Sequence, residues 1–166
     1  IPRLYDATEG VVKVGGRDVR EYPLSELRGK VATASQRATL FHATVRENVA
    51  FGAPNASDED IAKALEISQS AEFVDKLEQK WDTMVAQGGK SLSGGQRQRL
   101  SIARALAAKP EILILDDSLS ALDFKTDSKL RQALYQYEKD TTVILVSQRA
   151  SALRNADKII VLDEGR

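Results

Sequence analysis

Apolar residues recur along this chain with two different periods, and the switches between them mark out the elements. Val11, Val12 and Val14 lead into Gly15-Gly16, a hairpin-type turn, and Asp18-Val19 begins a return strand. Pro23 opens a short helical turn over Leu24 to Leu27, and Val31 to Ser35 reads as a strand ending at Gln36. The middle third then takes helical spacing. Thr44 is placed to cap a helix over Val45 to Ala50, Gly52 to Ser57 is a polar turn, Ser57 with Asp60 caps a helix reaching Ile67, and Ala71 to Leu77 is another. Ser93 and Gln96 stand at the capping-box spacing, so Gly94 and Gly95 open a helix that Arg97 to Lys109 continues, with Leu100, Ala103, Leu106 and Ala107 facing inward. Pro110 stops it. Ile112 to Leu115 is an unbroken apolar run, the pattern of a strand buried on both faces. Beyond it, Thr126 to Lys139 reads as an exposed helix with Leu130 and Leu134 toward a core, and Thr142 to Val146 and Lys158 to Leu162 as strands separated by a helical turn near Ala150 to Leu153. Ile1 to Tyr5 looks like the tail of a helix. Strands alternating with helices predict an α/β fold with a mostly parallel sheet.

Candidate chemistry concentrates between Leu92 and Asp123. A helix opened by Gly94 and Gly95 offers free N–H groups and the positive end of its dipole, which suit a phosphate that the absence of side chains lets come close. The strand after Pro110 delivers two adjacent carboxylates, Asp116 and Asp117, at its carboxyl end, where nucleoside triphosphate sites place a magnesium-holding Asp.

LSGGQRQR (Leu92 to Arg99), a short helix, ILILDD and then ALD (Ala121 to Asp123) resemble, in order and spacing, an ATP-binding cassette (ABC) ATPase from signature motif through Walker B to D-loop. The resemblance covers essentially the whole chain. It implies a P-loop NTPase (RecA-like) core over 1–38 and 108–166, with an N-terminal β portion, interrupted by a helical subdomain over 39–107 that carries the signature. It also implies ATP and Mg2+ as cofactors, bound by Gln36, Ser93, Gly94, Gly95, Gln96, Asp116 and Asp123, with Gln36 and Asp116 toward the metal. Asp117 and Gln148 are then the catalytic positions. Gln36 matches the Q-loop, although a Gln at a strand end is ordinarily polar surface. Asp123 matches the D-loop Asp, although it could simply cap the next helix.

Two departures from the family pattern fall in one site. The family's general base is a Glu directly after the Walker B Asp, and Asp117 stands there. It withdraws the carboxylate by about 1 Å, and a misplacement of that size costs roughly a hundredfold in rate. The family's switch His is replaced by Gln148, which can hydrogen-bond a phosphate but has no titrating proton. Neutral drift in a still-active enzyme is the plainer explanation of both. The other implies the slow half of a heterodimeric exporter, whose intact signature completes the partner's site.

TLFHATVRENVAFG (Thr39 to Gly52) resembles the exporter stretch beneath the coupling helices of a membrane domain, though Phe41, Val45 and Phe51 taken singly read as subdomain core. TMVAQGG (Thr83 to Gly89) resembles the exporter X-loop, with Gln87 where many have Glu. His42, the only histidine, is given no chemistry. The implied partners are a second ABC nucleotide-binding domain, transmembrane domains, and an exported small molecule, lipid or peptide.

Composition narrows these readings. The 24 basic and 24 acidic residues balance, so no net field draws the chain to nucleic acid, and none is expected as a partner. With no Cys, disulfides and thiolate metal sites are excluded. There is no apolar stretch of about 18 residues, so attachment to the cytoplasmic face of a membrane would come through other segments. Gly89-Lys90-Ser91 imitates the end of a phosphate loop, but Met84 occupies its first glycine position and no buried strand precedes it. The true loop is expected upstream of Ile1, so this stretch alone should bind ATP poorly. The rival readings are a homodimeric exporter with Asp117 as base, a non-transport ABC ATPase, and a regulatory module that binds nucleotide without hydrolysis.

Overall fold

The computed structural model describes residues 1–137 and 141–163. A hairpin pairs β1 (Lys13–Val14) with β2 (Arg17–Asp18), turning through Gly15 and Gly16 at φ of 55° and 81°, left-handed backbone that glycine enters without a Cβ clash. A 3-10 turn over Val19–Glu21 replaces the rest of the predicted return strand, because the Asp18 carboxylate accepts from the Arg20 backbone N–H at 2.9 Å and caps it. α1 (Leu24–Lys30) runs directly into β3 (Val31–Ala34). Then come β4 (Ala43–Thr44), α2 (Val45–Ala50), α3 (Asp58–Ile67), α4 (Ala71–Val74) and β5 (Met84–Val85), which pairs antiparallel with β4. Thr44 and Ser57 cap α2 and α3 as expected, Ser57 in the predicted pairing with Asp60, and the structure adds a reciprocal capping box between Thr44 and Glu47. α5 (Gly94–Ala107), β6 (Ile112–Asp116), α6 (Phe124–Gln136) and β7 (Thr142–Val146) follow.

The predicted parallel sheet is present, in the order β3-β6-β7, with Ala34 opposite Leu115 and Leu115 opposite Leu145. This register brings the carboxyl ends of all three strands to one edge, so Gln36, Asp116, Asp117 and Gln148 emerge at the same end of the sheet. One continuous core joins sheet and helices: Leu113 and Leu115 of β6, Leu100, Ile102 and Ala103 of α5, Val45 and Val49 of α2, Leu65 of α3 and Leu130 of α6. α5 packs on β3 as well as on α2 and α3, so the core runs without a break through the boundary drawn at residues 39 and 107.

Several expectations shift. Ile1 to Tyr5 is not helical, and Leu4 and Tyr5 are exposed; so short a segment forms too few bonds to offset helix nucleation. Lys158 to Leu162 pairs with no strand among the described residues, and Ile159 to Leu162 lie exposed. An apolar pattern specifies a face, but only a neighbouring edge makes a strand. β6 is fully covered on the face of Leu113 and Leu115, whereas Ile112 and Ile114 are only half-buried, so the predicted burial on both faces is not found. Ile112 rests on a second small cluster of Val14, Val19 and Leu27. α4 stops at Val74, and tighter bonds such as Leu77 N–H to the Val74 carbonyl carry the chain on. α5 ends at Ala107 with Ala108 as its cap, and Lys109 then takes left-handed backbone at φ 46°, which turns the chain out of the helix ahead of Pro110. The predicted helix reaching Lys139 is α6 to Gln136, and its last residues lie outside the described ones. Among the described residues no helix is long and apolar enough to cross a membrane.

Candidate functional site at the sheet's carboxyl edge and the head of α5

At the sheet edge, residues far apart in sequence meet. Gln36 Nε2 donates to Asp117 Oδ2 at 2.8 Å. Asp117 holds left-handed backbone at φ 45°, uncommon outside glycine, and is pinned on both sides. Its N–H donates to the Val146 carbonyl at 3.1 Å, and its own carbonyl accepts from Ser120 Oγ at 2.7 Å. The Asp116 side chain is exposed and its carboxylate has no hydrogen-bond partner among the described residues. Gln148 is likewise exposed and unbonded, but Arg149 beside it donates Nη2 to the Ser120 carbonyl at 2.9 Å, tying the loop after β7 to the loop after β6.

The head of α5 is built locally. The Ser93 N–H donates to Gln96 Oε1 at 2.8 Å and the Gln96 N–H to Ser93 Oγ at 3.2 Å. The two glycines differ in what they touch. A Cβ on Gly95 would come within 3.4 Å of the Ala121 carbonyl, so the signature packs against the turn leading to Asp123. A Cβ on Gly94 would meet only Arg97 Nη2, at 3.9 Å, so nothing in this chain's packing calls for glycine there. Buried Gln98 donates to the Ser35 carbonyl at 2.9 Å and fastens the helix beside Gln36. Asp123 accepts from the Thr126 N–H at 3.0 Å and from Thr126 Oγ1 at 2.7 Å, so it does cap α6. Those bonds, the backbone one foremost, hold its carboxyl below the ordinary carboxylate range.

Gly89-Lys90-Ser91 lies in the loop between β5 and α5, as predicted. Gly89 is buried at φ 70°, where a Cβ would collide with Arg97 Cδ at 2.5 Å, so this glycine serves packing. Val45 is core, as its residue type suggests. Phe41 and Phe51 are not: they are 40% and 63% exposed, with ring centroids 4.2 Å apart, because the buried position is taken by polar Asn48.

Magnesium takes oxygen ligands and keeps phosphate and water among them. No group of three or more acidic or His side chains capable of holding a metal occurs among the described residues. The unpartnered carboxylate of Asp116 and the Gln36 Oε1 left free by its Nε2 bond fit an ion that a nucleotide also coordinates.

The sequence profile of the ABC transporter family matches residues 1–120. This chain belongs to the ABC transporter family. It is 43% identical over 166 residues to an ATP-dependent lipid A-core flippase of Photorhabdus laumondii, covering 99% of this chain and 29% of that protein. It is 41% identical to ABC transporter B family member 21 of Arabidopsis thaliana, covering 100% of this chain and 13% of that one. The structure of a bacterial Atm1-family ABC exporter with ATP bound superposes with a TM-score of 0.94 at 34% identity, over 99% of this chain and 29% of the exporter. The α/β fold is therefore that of an ABC exporter's ATP-binding domain, and the chain spans less than a third of its curated relatives. Residue patterns did not flag Gln98, Asn48, Arg104 or Arg149; the first three are polar side chains within buried helical surroundings, a signal visible only as a polar break in an inward face.

Proposed function

We propose that this chain is part of the ATP-hydrolysing engine of an ABC exporter, and that its own Walker B site turns over slowly while its signature serves a partner's site. The observation that carries the reading is the bond between Gln36 and Asp117. With Gln36 donating to Oδ2, Asp117 orients a water with the acceptor sites that remain, on a side chain already a methylene shorter than the family's Glu. Asp116 and Gln36 would hold Mg2+, which when bound supplies positive charge against phosphate oxygens. Gln148 would hydrogen-bond the terminal phosphate without ever becoming a cation. Ser93, Gly94, Gly95 and Gln96 would meet the phosphates of a nucleotide held by a second nucleotide-binding domain, in a heterodimer at the cytoplasmic face of a membrane, with Asp123 helping to join the two sites.

The exposed Phe41–Phe51 pair supports docking of transmembrane domains on the segment after Gln36. A cavity of about 430 Å3, lined in part by Arg28, Arg37, Thr39, Gly52 and Arg104, opens beside that segment. The cargo would be a small molecule, lipid or peptide.

The test is steady-state ATPase of the full-length pair. Asp117→Glu with Gln148→His should raise turnover of the pair, to about twice its rate if the restored site matches the partner's, since restored geometry recovers a roughly hundredfold loss in one site of two. An unchanged rate would count against a slow site. Full activity of the purified full-length subunit without a partner would favour a homodimer in which Asp117 suffices.

A further inference from the structure

α5 presents Gly94 to solvent at its head and, about 15 Å along its axis, carries Arg104. The Arg104 guanidinium donates from Nε to the Asn48 carbonyl at 2.8 Å, from Nη1 to the Thr39 carbonyl at 2.9 Å and from Nη2 to Asn48 Oδ1 at 2.9 Å. Its Cζ also lies 5.0 Å from the Phe41 ring centroid and 5.7 Å from that of Phe51. Asn48, fully buried, returns bonds from Nδ2 to the carbonyls of Phe41, Ala43 and Thr44 and accepts the Phe41 N–H at 2.9 Å. One planar head on α5 therefore holds both segments that bear the exposed aromatic pair, the loop 39–44 and the end of α2. A lysine carries its three donors on one compact ammonium and could not fork in a plane to these separated acceptors.

The geometry points to Arg104 as the positioning residue that carries displacement of the signature helix to the Phe41–Phe51 surface. This rests on the docking reading above. A helix moves as a rod, and a side chain bonded to both receiving segments makes them follow it, whereas packing contacts alone could slide. No other side chain of α5 is bonded to this loop: Gln98 bonds Ser35, Arg99 bonds Gln69, and Arg97 bonds Gly89 and Leu92.

The test uses the full-length transporter in nanodiscs, with ATP plus vanadate as the probe. Closure is read as a spin-label distance across the two membrane halves, and nucleotide affinity is read separately. Phe51→Ala should weaken the ATP-driven closing equilibrium by roughly fivefold to tenfold at unchanged nucleotide affinity, and Arg104→Lys by a similar factor. The double variant should be no worse than either single one, because both break the same link. If Phe51→Ala closes normally, the docking reading fails. If Phe51→Ala is impaired while Arg104→Lys closes like wild type, docking stands and the role given to Arg104 is overturned. Should Arg104→Lys not assemble, hydrogen exchange of the wild-type transporter decides. ATP should slow exchange in 94–107 and 39–51 together, and protection confined to 94–107 would overturn the inference.

Discussion

At the head of α5, the residues that would meet a phosphate are consecutive: Ser93 and Gln96 satisfy each other, and Gly94 and Gly95 lie between them. At the carboxyl edge of the sheet, Gln36, Asp117, Val146 and Arg149 come from separate elements and are fixed only by bonds across the fold. The first region survives most changes elsewhere, whereas the second depends on three strands holding register. Departures from the family pattern fall in the second region, where Asp117 and Gln148 stand, and leave the first intact. In the proposed asymmetric pair, loss of catalytic competence in one half-site would cost the chain's signature nothing.

The largest effect should come from Gly94→Asp. Its Cβ has room, and an acid in the first helical turn suits the dipole, so melting of the chain should not move. Turnover of the assembled transporter should fall by about a hundredfold, the scale of losing a preorganised donor at a phosphate. A lowered melting temperature would show instead that the glycine serves packing. Next, Ser93→Ala should destabilise by about 1 kcal/mol through the lost cap. Gln36→Ala should cost less, about 0.5 kcal/mol, because its bond to Asp117 is exposed to water. Denaturant melts of both would break the contrast if the order reversed. The smallest effect concerns acid. Asp123 is held below its ordinary value of 3.8 by Thr126, so its contribution is complete above that value and fades as pH falls through the lower folded one. Asp123→Asn should therefore flatten a small part of the fall in melting temperature below pH 3.8 and leave neutral pH nearly unchanged.

The same contrast divides what could be read from residues alone. The caps at Thr44, Ser57 and Ser93, the parallel sheet and the run from Leu92 to Asp123 were legible because each is a short-range pattern or a strand–helix alternation. Lys158 to Leu162 misled because its apolar pattern is real but pairing needs an edge that a one-dimensional pattern cannot supply. Phe41 and Phe51 misled because their hydrophobicity says nothing of direction, and a buried Asn48 bonded to Arg104 took the place expected of them.

The sequence by itself determined the local chemistry: which helix heads are capped, where glycines leave a helix head without side chains, and which carboxylates follow an apolar strand. Those depend on neighbours within four or five positions. Tertiary structure alone decided that Gln36 answers Asp117, that Arg149 joins two loops, and that Arg104 reaches under two aromatic rings. Each of these contacts joins residues tens of positions apart, and only the packed sheet and helices fix such distances.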